Sequence, residues 1–170
     1  MRALVAFLDD AAEREIRRLW QTLADGGVAP AVRRFAPHLT LAAGASIPPK
    51  ARAAVRDELA LLAMPALWLS TLAVFPSTEN VLVLAAVVDT ELLAVHSAVH
   101  DVLAGKVRQA SALHLPGSWV PHCTLAEHVP TAALGAGLSL LHPVTPVRAT
   151  LGPVAVLDTA SGAVEPLPPR

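Results

Sequence analysis

The sequence predicts one domain of mixed strands and helices, built twice from the same run of elements. The first observation is a repeat. The octapeptide Phe35-Ala-Pro-His-Leu-Thr-Leu-Ala42 returns 84 residues later as Trp119-Val-Pro-His-Cys-Thr-Leu-Ala126, with five positions identical and a sixth aromatic in both. The second is the apolar spacing around each copy, which gives strand, helix, motif strand, helix, strand on both occasions. The third is bulk: 170 residues, 54% of them apolar and 16% charged, suffice for a substantial core and exclude a disordered chain.

Taken in order, Ala3 to Leu8 is an apolar run closed by Asp9-Asp10, the pattern of a buried strand followed by a helix N-cap. Ile16, Leu19, Trp20 and Leu23 recur at i, i+3, i+4 and i+7, which predicts an amphipathic helix stopped at Gly26-Gly27. The first motif strand follows and ends near Gly44. Pro48-Pro49 opens a helix over Lys50 to Ala63, because proline is tolerated in a first turn, and a strand over Ala66 to Phe75 ends at Pro76-Ser77. In the second half Val81 to Val88 is a strand, and Asp89 or Thr90 caps a helix whose stripe is Leu92, Val95, Val99, Val102 and Leu103, closing at Gly105. The connector Lys106 to Ser118 leads into the second motif strand. Pro130-Thr131 opens a helix to about Leu141, weakened by Gly135 and Gly137, and Val144 to Leu157 supplies one or two strands interrupted at Gly152-Pro153. Residues 1–160 are expected as a single domain with two pseudo-symmetric lobes, and the proline-rich residues 161–170 as a flexible tail.

Several functional classes are excluded by composition. A net charge of −1 does not suit a protein that coats a duplex, although a short or terminal piece of nucleic acid remains compatible. One cysteine allows neither an internal disulfide nor an all-cysteine metal cage and fits a reducing compartment. The longest apolar runs fall well short of the ~20 residues that span a bilayer, and no export signal is visible, so a cytoplasmic protein with no membrane contact is expected.

On a strand alternate side chains share a face, so His38 and Thr40 stand together, as do His122 and Thr124. The same alternation puts Ala36 and Ala42, or Val120 and Ala126, beside them, and turns Phe35, Leu39 and Leu41, or Trp119, Cys123 and Leu125, the other way. A pseudo-twofold axis would set the two motif strands on either side of a shared cleft. Two histidines and two hydroxyls there suit cleavage or transfer of a phosphate ester without a metal. One imidazole accepts a proton while the other donates one, and the threonines donate hydrogen bonds to non-bridging oxygens.

Pro37-His38-Leu39-Thr40-Leu41 and Pro121-His122-Cys123-Thr124-Leu125 resemble the paired His-x-Thr motifs of the 2H phosphoesterase superfamily, in particular its RNA 2',3'-cyclic phosphodiesterase and 2'-5' RNA ligase branch. The resemblance covers roughly residues 2 to 157. It implies a bilobal, internally duplicated α+β fold with two antiparallel sheets facing a central cleft and helices packed outside. It implies metal-independent opening of 2',3'-cyclic phosphates of RNA ends or nucleotides to 2'-phosphates, or related 2'-5' ligation, with no cofactor. His38 and His122 would be the catalytic base and acid, in an order left open, and Thr40 and Thr124 the phosphate-binding residues. The chain departs from that branch in two respects. No arginine follows either motif threonine, where Ala42-Ala43 and Ala126-Glu127 stand instead, and tyrosine is absent.

Arg33, Arg34, His114 and His128 are further candidates for substrate contact, each with a plainer alternative as a solvated or loop residue. Phe35 and Trp119 could stack a base but are expected in the core by parity, Trp68 is expected in the core or at its rim in preference to serving as a base platform, and His96 and His100 are expected on the surface beside their helix stripe. Cys123 is expected as a buried structural thiol. A monomer without a protein partner is expected, and the alternative to an enzyme is a non-catalytic module that binds an RNA end or nucleotide in the same cleft.

Overall fold

The computed structural model describes residues 1–30, 33–75 and 77–168. Pro76, expected to terminate a strand, and the last two residues of the expected tail lie outside the described residues. Among those described there are seven strands and four α-helices. In order these are β1 (Arg2–Leu8), α1 (Asp10–Asp25), β2 (His38–Gly44), α2 (Pro49–Leu59), β3 (Ala66–Val74), β4 (Leu82–Ala86), α3 (Thr90–Leu103), β5 (His122–Ala126), α4 (Thr131–Leu141), β6 (Val147–Asp158) and β7 (Val164–Pro166).

The capping expectations hold at two helices. Asp9 accepts hydrogen bonds from the Ala11 and Ala12 amides at 3.0 Å, and Asp89 accepts from the Leu92 amide at 2.8 Å, each satisfying donors that the first turn leaves open. Asp9 also accepts from the Thr150 amide, tying the start of α1 to β6. The α2 helix starts at Pro49 as expected but stops at Leu59, before Ala63.

All strand pairs are antiparallel, in the order β2-β1-β6-β3-β4-β5 with β7 on β6. The two halves are not separate sheets. Val147 to Thr150 of β6 pair with β3, and Leu151 to Asp158 pair with β1, so one long strand joins everything into a single open sheet. Gly152-Pro153 does not break β6. The pair sits at a register shift, where the partners of Ala6 and Leu8 are Val154 and Leu151, and a bulge accommodates a proline that has no amide to donate. Part of the expected tail lies in the sheet. Val164 to Pro166 pair with β6 on the edge that β1 leaves free, and Glu165 forms ion pairs with Arg2 and Arg52.

Both the helices and the alternating leucines of the strands feed one core. Ile16, Trp20 and Leu23 of α1, Val55 of α2, Leu92, Val99 and Leu103 of α3 and Leu141 of α4 pack on Leu4, Leu39, Leu41, Leu69, Leu84 and Leu125. The other face of the sheet carries only a small cluster of Ala3, Val5, Ala43, Ala155 and Leu157, with Phe7 and Phe35 against it. Strands β2 and β5 stand at opposite ends of the strand order yet touch, with α1 reaching β5 and α3 reaching β2. The sheet is therefore curled until its two ends meet, and those ends are the two motif strands. The connector after α3 covers the outer edge of β2: the Ala45 amide donates to Arg108 O, the Arg108 amide to Ser46 O and the Ser111 amide to Ala43 O. Gly44 is required there, because a Cβ would stand 2.5 Å from Val107 Cγ1 and 2.8 Å from Arg108 O. Among the described residues no helix is long and apolar enough to cross a membrane.

Candidate active site

Each motif strand departs from regular pairing at the same place. In the first, Phe7 opposes His38 and Val5 opposes Thr40, but Leu4 opposes Ala42, so Leu41 is left without a partner. In the second, Ala85 opposes His122 and Val83 opposes Thr124, but Leu82 opposes Ala126, so Leu125 is left over. A bulge directly after each threonine shifts the alternation that follows. Ala42 and Ala126 consequently join the main core instead of the histidine face, while Ala43 moves to the histidine face. The His-x-Thr pairs precede the bulge and keep their shared face, opposite the buried Leu39 and Cys123.

The two histidines make the same local contact. His38 Nδ1–H donates to Ala36 O at 2.7 Å, and His122 Nδ1–H donates to Val120 O at 2.7 Å. A carbonyl can only accept, so Nδ1 carries the proton in both rings and Nε2 is the nitrogen left to take or give one. Among the described residues neither Nε2, nor the hydroxyl of Thr40 or Thr124, has a hydrogen-bond partner. Aromatic edges fix the rings: Phe7 and Phe35 meet His38 at centroid separations of 6.2 and 6.3 Å, and Phe75 meets His122 at 4.7 Å, all near perpendicular. Phe35 is thus a neighbour of His38 and not a core residue behind it, because β2 begins only at His38 and strand parity does not extend to Phe35.

Burial lowers the pKa of both histidines below the ordinary imidazole value, since a charge is poorly solvated there. His38 is lowered further by the nearby charges of His122 and Arg33 and raised by its hydrogen bond to Ala36 and by Glu127, so the two rings lie within electrostatic reach of each other.

The strand backbones are held by indoles arranged crosswise. Trp119 Nε1–H donates to Thr40 O at 2.9 Å, and Trp20 Nε1–H of α1 donates to Thr124 O at 3.1 Å. Each motif threonine is pinned by a tryptophan from elsewhere in the chain. Behind Trp119 lies His96, stacked on the indole at 3.8 Å and 4° and only 1% exposed. His96 is therefore not a surface residue; it belongs to the stripe of Leu92, Val95, Val99 and Leu103, a spacing legible in the sequence. Its Nε2–H donates to His114 O, burial holds its pKa down to about 4, and neighbouring His100 donates to Leu41 O.

The other candidates divide. Arg33 reaches across to the second motif, donating to Glu127 Oε2 at 3.1 Å with its side chain 13% exposed, and so places a cation beside His38 although no arginine follows either threonine. His114 is lowered in pKa by burial and then by the charges of His122 and His100, which puts it near the second histidine. Arg34 instead donates to Thr159 O at the β6–β7 turn, and His128 sits in an exposed turn at φ 55°. Cys123 is buried, with its thiol pushed up to about 12, and is inert as a nucleophile. Among the described residues no three His, Cys, Asp or Glu side chains gather as a metal-ligating set.

No curated protein matches the sequence. The chain does match the family model of the 2'-5' RNA ligase superfamily over residues 6–163, a span that includes both His-x-Thr strands and the elements that pin them. The chain belongs to the 2'-5' RNA ligase superfamily of 2H phosphoesterases.

Proposed function

We propose that the protein is a metal-independent cyclic phosphodiesterase that opens 2',3'-cyclic phosphates of RNA ends or nucleotides to 2'-phosphates. The observation that carries this reading is the duplicated histidine geometry, in which Nδ1 is committed in both rings to the carbonyl two residues earlier, just before the strand, and Nε2 has no partner in either among the described residues. The unengaged threonine hydroxyls and the family membership support it. The internal duplication expected from sequence is supported by the matching bulges at Leu41 and Leu125 and by the crossed indoles, with the curled sheet ends forming the two sides of the cleft.

In the reaction a neutral imidazole takes a proton from water through Nε2 as the water oxygen bonds to phosphorus. The P–O3' bond breaks, and the other imidazole, protonated, delivers its proton to O3'. Thr40 and Thr124 donate to the non-bridging oxygens, and Arg33 adds positive potential near His38. With a 5'-hydroxyl in place of water the same groups would form a 2'-5' phosphodiester. A binding module would need the cleft and the hydroxyls, but not two rings poised to exchange protons.

Incubation with nucleoside 2',3'-cyclic phosphates and a short cyclic-phosphate-ended RNA in EDTA, with identification of the product isomer, tests the reading. Turnover that survives chelation and yields the 2'-phosphate is expected. A 3'-phosphate product or activity abolished by chelation would contradict it.

A further inference from the structure

The helix-free face of the sheet continues past the histidines into an exposed row that the reaction does not use. Leu67 and Leu69 of β3 point into the core, so Trp68 between them points to the histidine side, as does Arg148 between buried Val147 and Ala149 of β6. Trp68 and Arg148 are cross-strand partners, and the guanidinium stands over the indole at 6.0 Å, a long cation–π contact. The Val87 amide donates to Trp68 O, setting Val87, just past the end of β4, beside Trp68, and Val120 stands at the entry to β5. Trp68, Val87 and Val120 are 51%, 54% and 46% exposed, an unusual amount of apolar surface for one row of a sheet.

This row runs parallel to the row of Thr71, Ala85 and His122, with which it shares a face. Two strands across and two residues along put the Trp68 Cα about 12 Å from that of His122. That distance suits a base one or two positions from a phosphate held at His122. An indole offers a π-face that stacks any base, and the adjacent Arg148, which makes no ion pair among the described residues, supplies positive charge for the backbone.

We infer that Trp68, Arg148, Val87 and Val120 form a stacking platform for a nucleobase of single-stranded RNA upstream of the cyclic phosphate. This deepens the phosphoesterase reading and rests on it for the nature of the ligand. It also assigns an aromatic platform to a chain that has no tyrosine.

The test uses binding, so that it does not depend on turnover. The probes are a short single-stranded RNA ending in a 2'-phosphate and the matching 2'-phosphate mononucleotide, with dissociation constants read by isothermal titration calorimetry. The wild-type protein should bind the RNA about tenfold tighter than the mononucleotide. Trp68→Val, which keeps a good strand former, should erase that advantage, and Trp68→Phe should restore much of it. Arg148→Ala should lower the salt dependence of RNA binding by about one phosphate contact. Equal affinity for the two probes, or an RNA advantage that survives Trp68→Val, would overturn the platform. So would a dimer of the free protein that Trp68→Val dissociates, since the row would then be an interface between copies. An RNA advantage that depends on Trp68 in a protein without cyclic phosphodiesterase activity would uphold the platform and refute the reaction.

Discussion

His38 and His122 each make a 2.7 Å hydrogen bond to the carbonyl two residues earlier in the chain, yet they stand in different surroundings. His38 is enclosed. Two phenylalanine edges flank it, the Arg33–Glu127 pair lies within reach of its charge, and the connector covers the edge of its strand. His122 has one phenylalanine edge and His114 nearby, and its side of the sheet opens onto the exposed row of Trp68 and Val87. The shared part of the two halves is what proton transfer to a phosphate needs. The unshared part is what a substrate with two unlike ends needs, a snug charged side and an open apolar side.

If the halves are complementary, removing either ring should stop the reaction. His38→Ala and His122→Ala are each expected to lower kcat by about 10²- to 10⁴-fold, measured as initial rates on a nucleoside 2',3'-cyclic phosphate, with the double variant no worse than the product of the two. Thr40→Val and Thr124→Val remove one donor each and should cost about 10- to 100-fold in kcat, with similar losses on the two sides. Unequal threonine losses would show that the phosphate sits nearer one half.

The next effect separates the halves by stability. His96 backs Trp119, the indole that pins the Thr40 carbonyl, and among the described residues only this side has such a ring. Its folded pKa of about 4 lies below that of an exposed imidazole, so the unfolded chain binds the extra proton first and stability rises with pH across that interval. Unfolding free energies from denaturant titrations should therefore fall as pH drops from about 6.5 towards 4, with about 3 kcal/mol of the fall from His96, and His96→Leu should remove that share while leaving the part due to His38, His114 and His122. The smallest effect concerns the crossed indoles. Trp119→Phe and Trp20→Phe each lose one hydrogen bond to a threonine carbonyl, worth about 1 kcal/mol in urea unfolding.

The repeat and its element order were legible because strand alternation and helix spacing are local properties. Asp9 and Asp89 cap as their positions predict, and the helix and motif-strand expectations fall within a few residues of the observed bounds. The misses have a common cause, which is geometry that depends on a partner strand. Alternation cannot announce a bulge, so it puts Ala42 and Ala126 on the wrong face. The pairing of Val164 to Pro166 depends on the free edge of β6, and the union of two halves in one sheet depends on β6 changing partners between Thr150 and Leu151. His96 is different: its place in the apolar stripe was readable, but its polarity argued for the surface until Trp119 and His114 O supplied partners. The Arg33–Glu127 pair joins residues 94 apart and has no local signature.

If His38 and His122 are the two proton carriers of one reaction, the pH profile of kcat/KM for the wild type and the two alanine variants will show it. Both rings are lowered below 6.5, so the wild type should give a bell with both limbs on the acid side of that value, and each variant should lose one limb. A profile whose two limbs persist in either variant would show that His38 and His122 are not the two proton carriers.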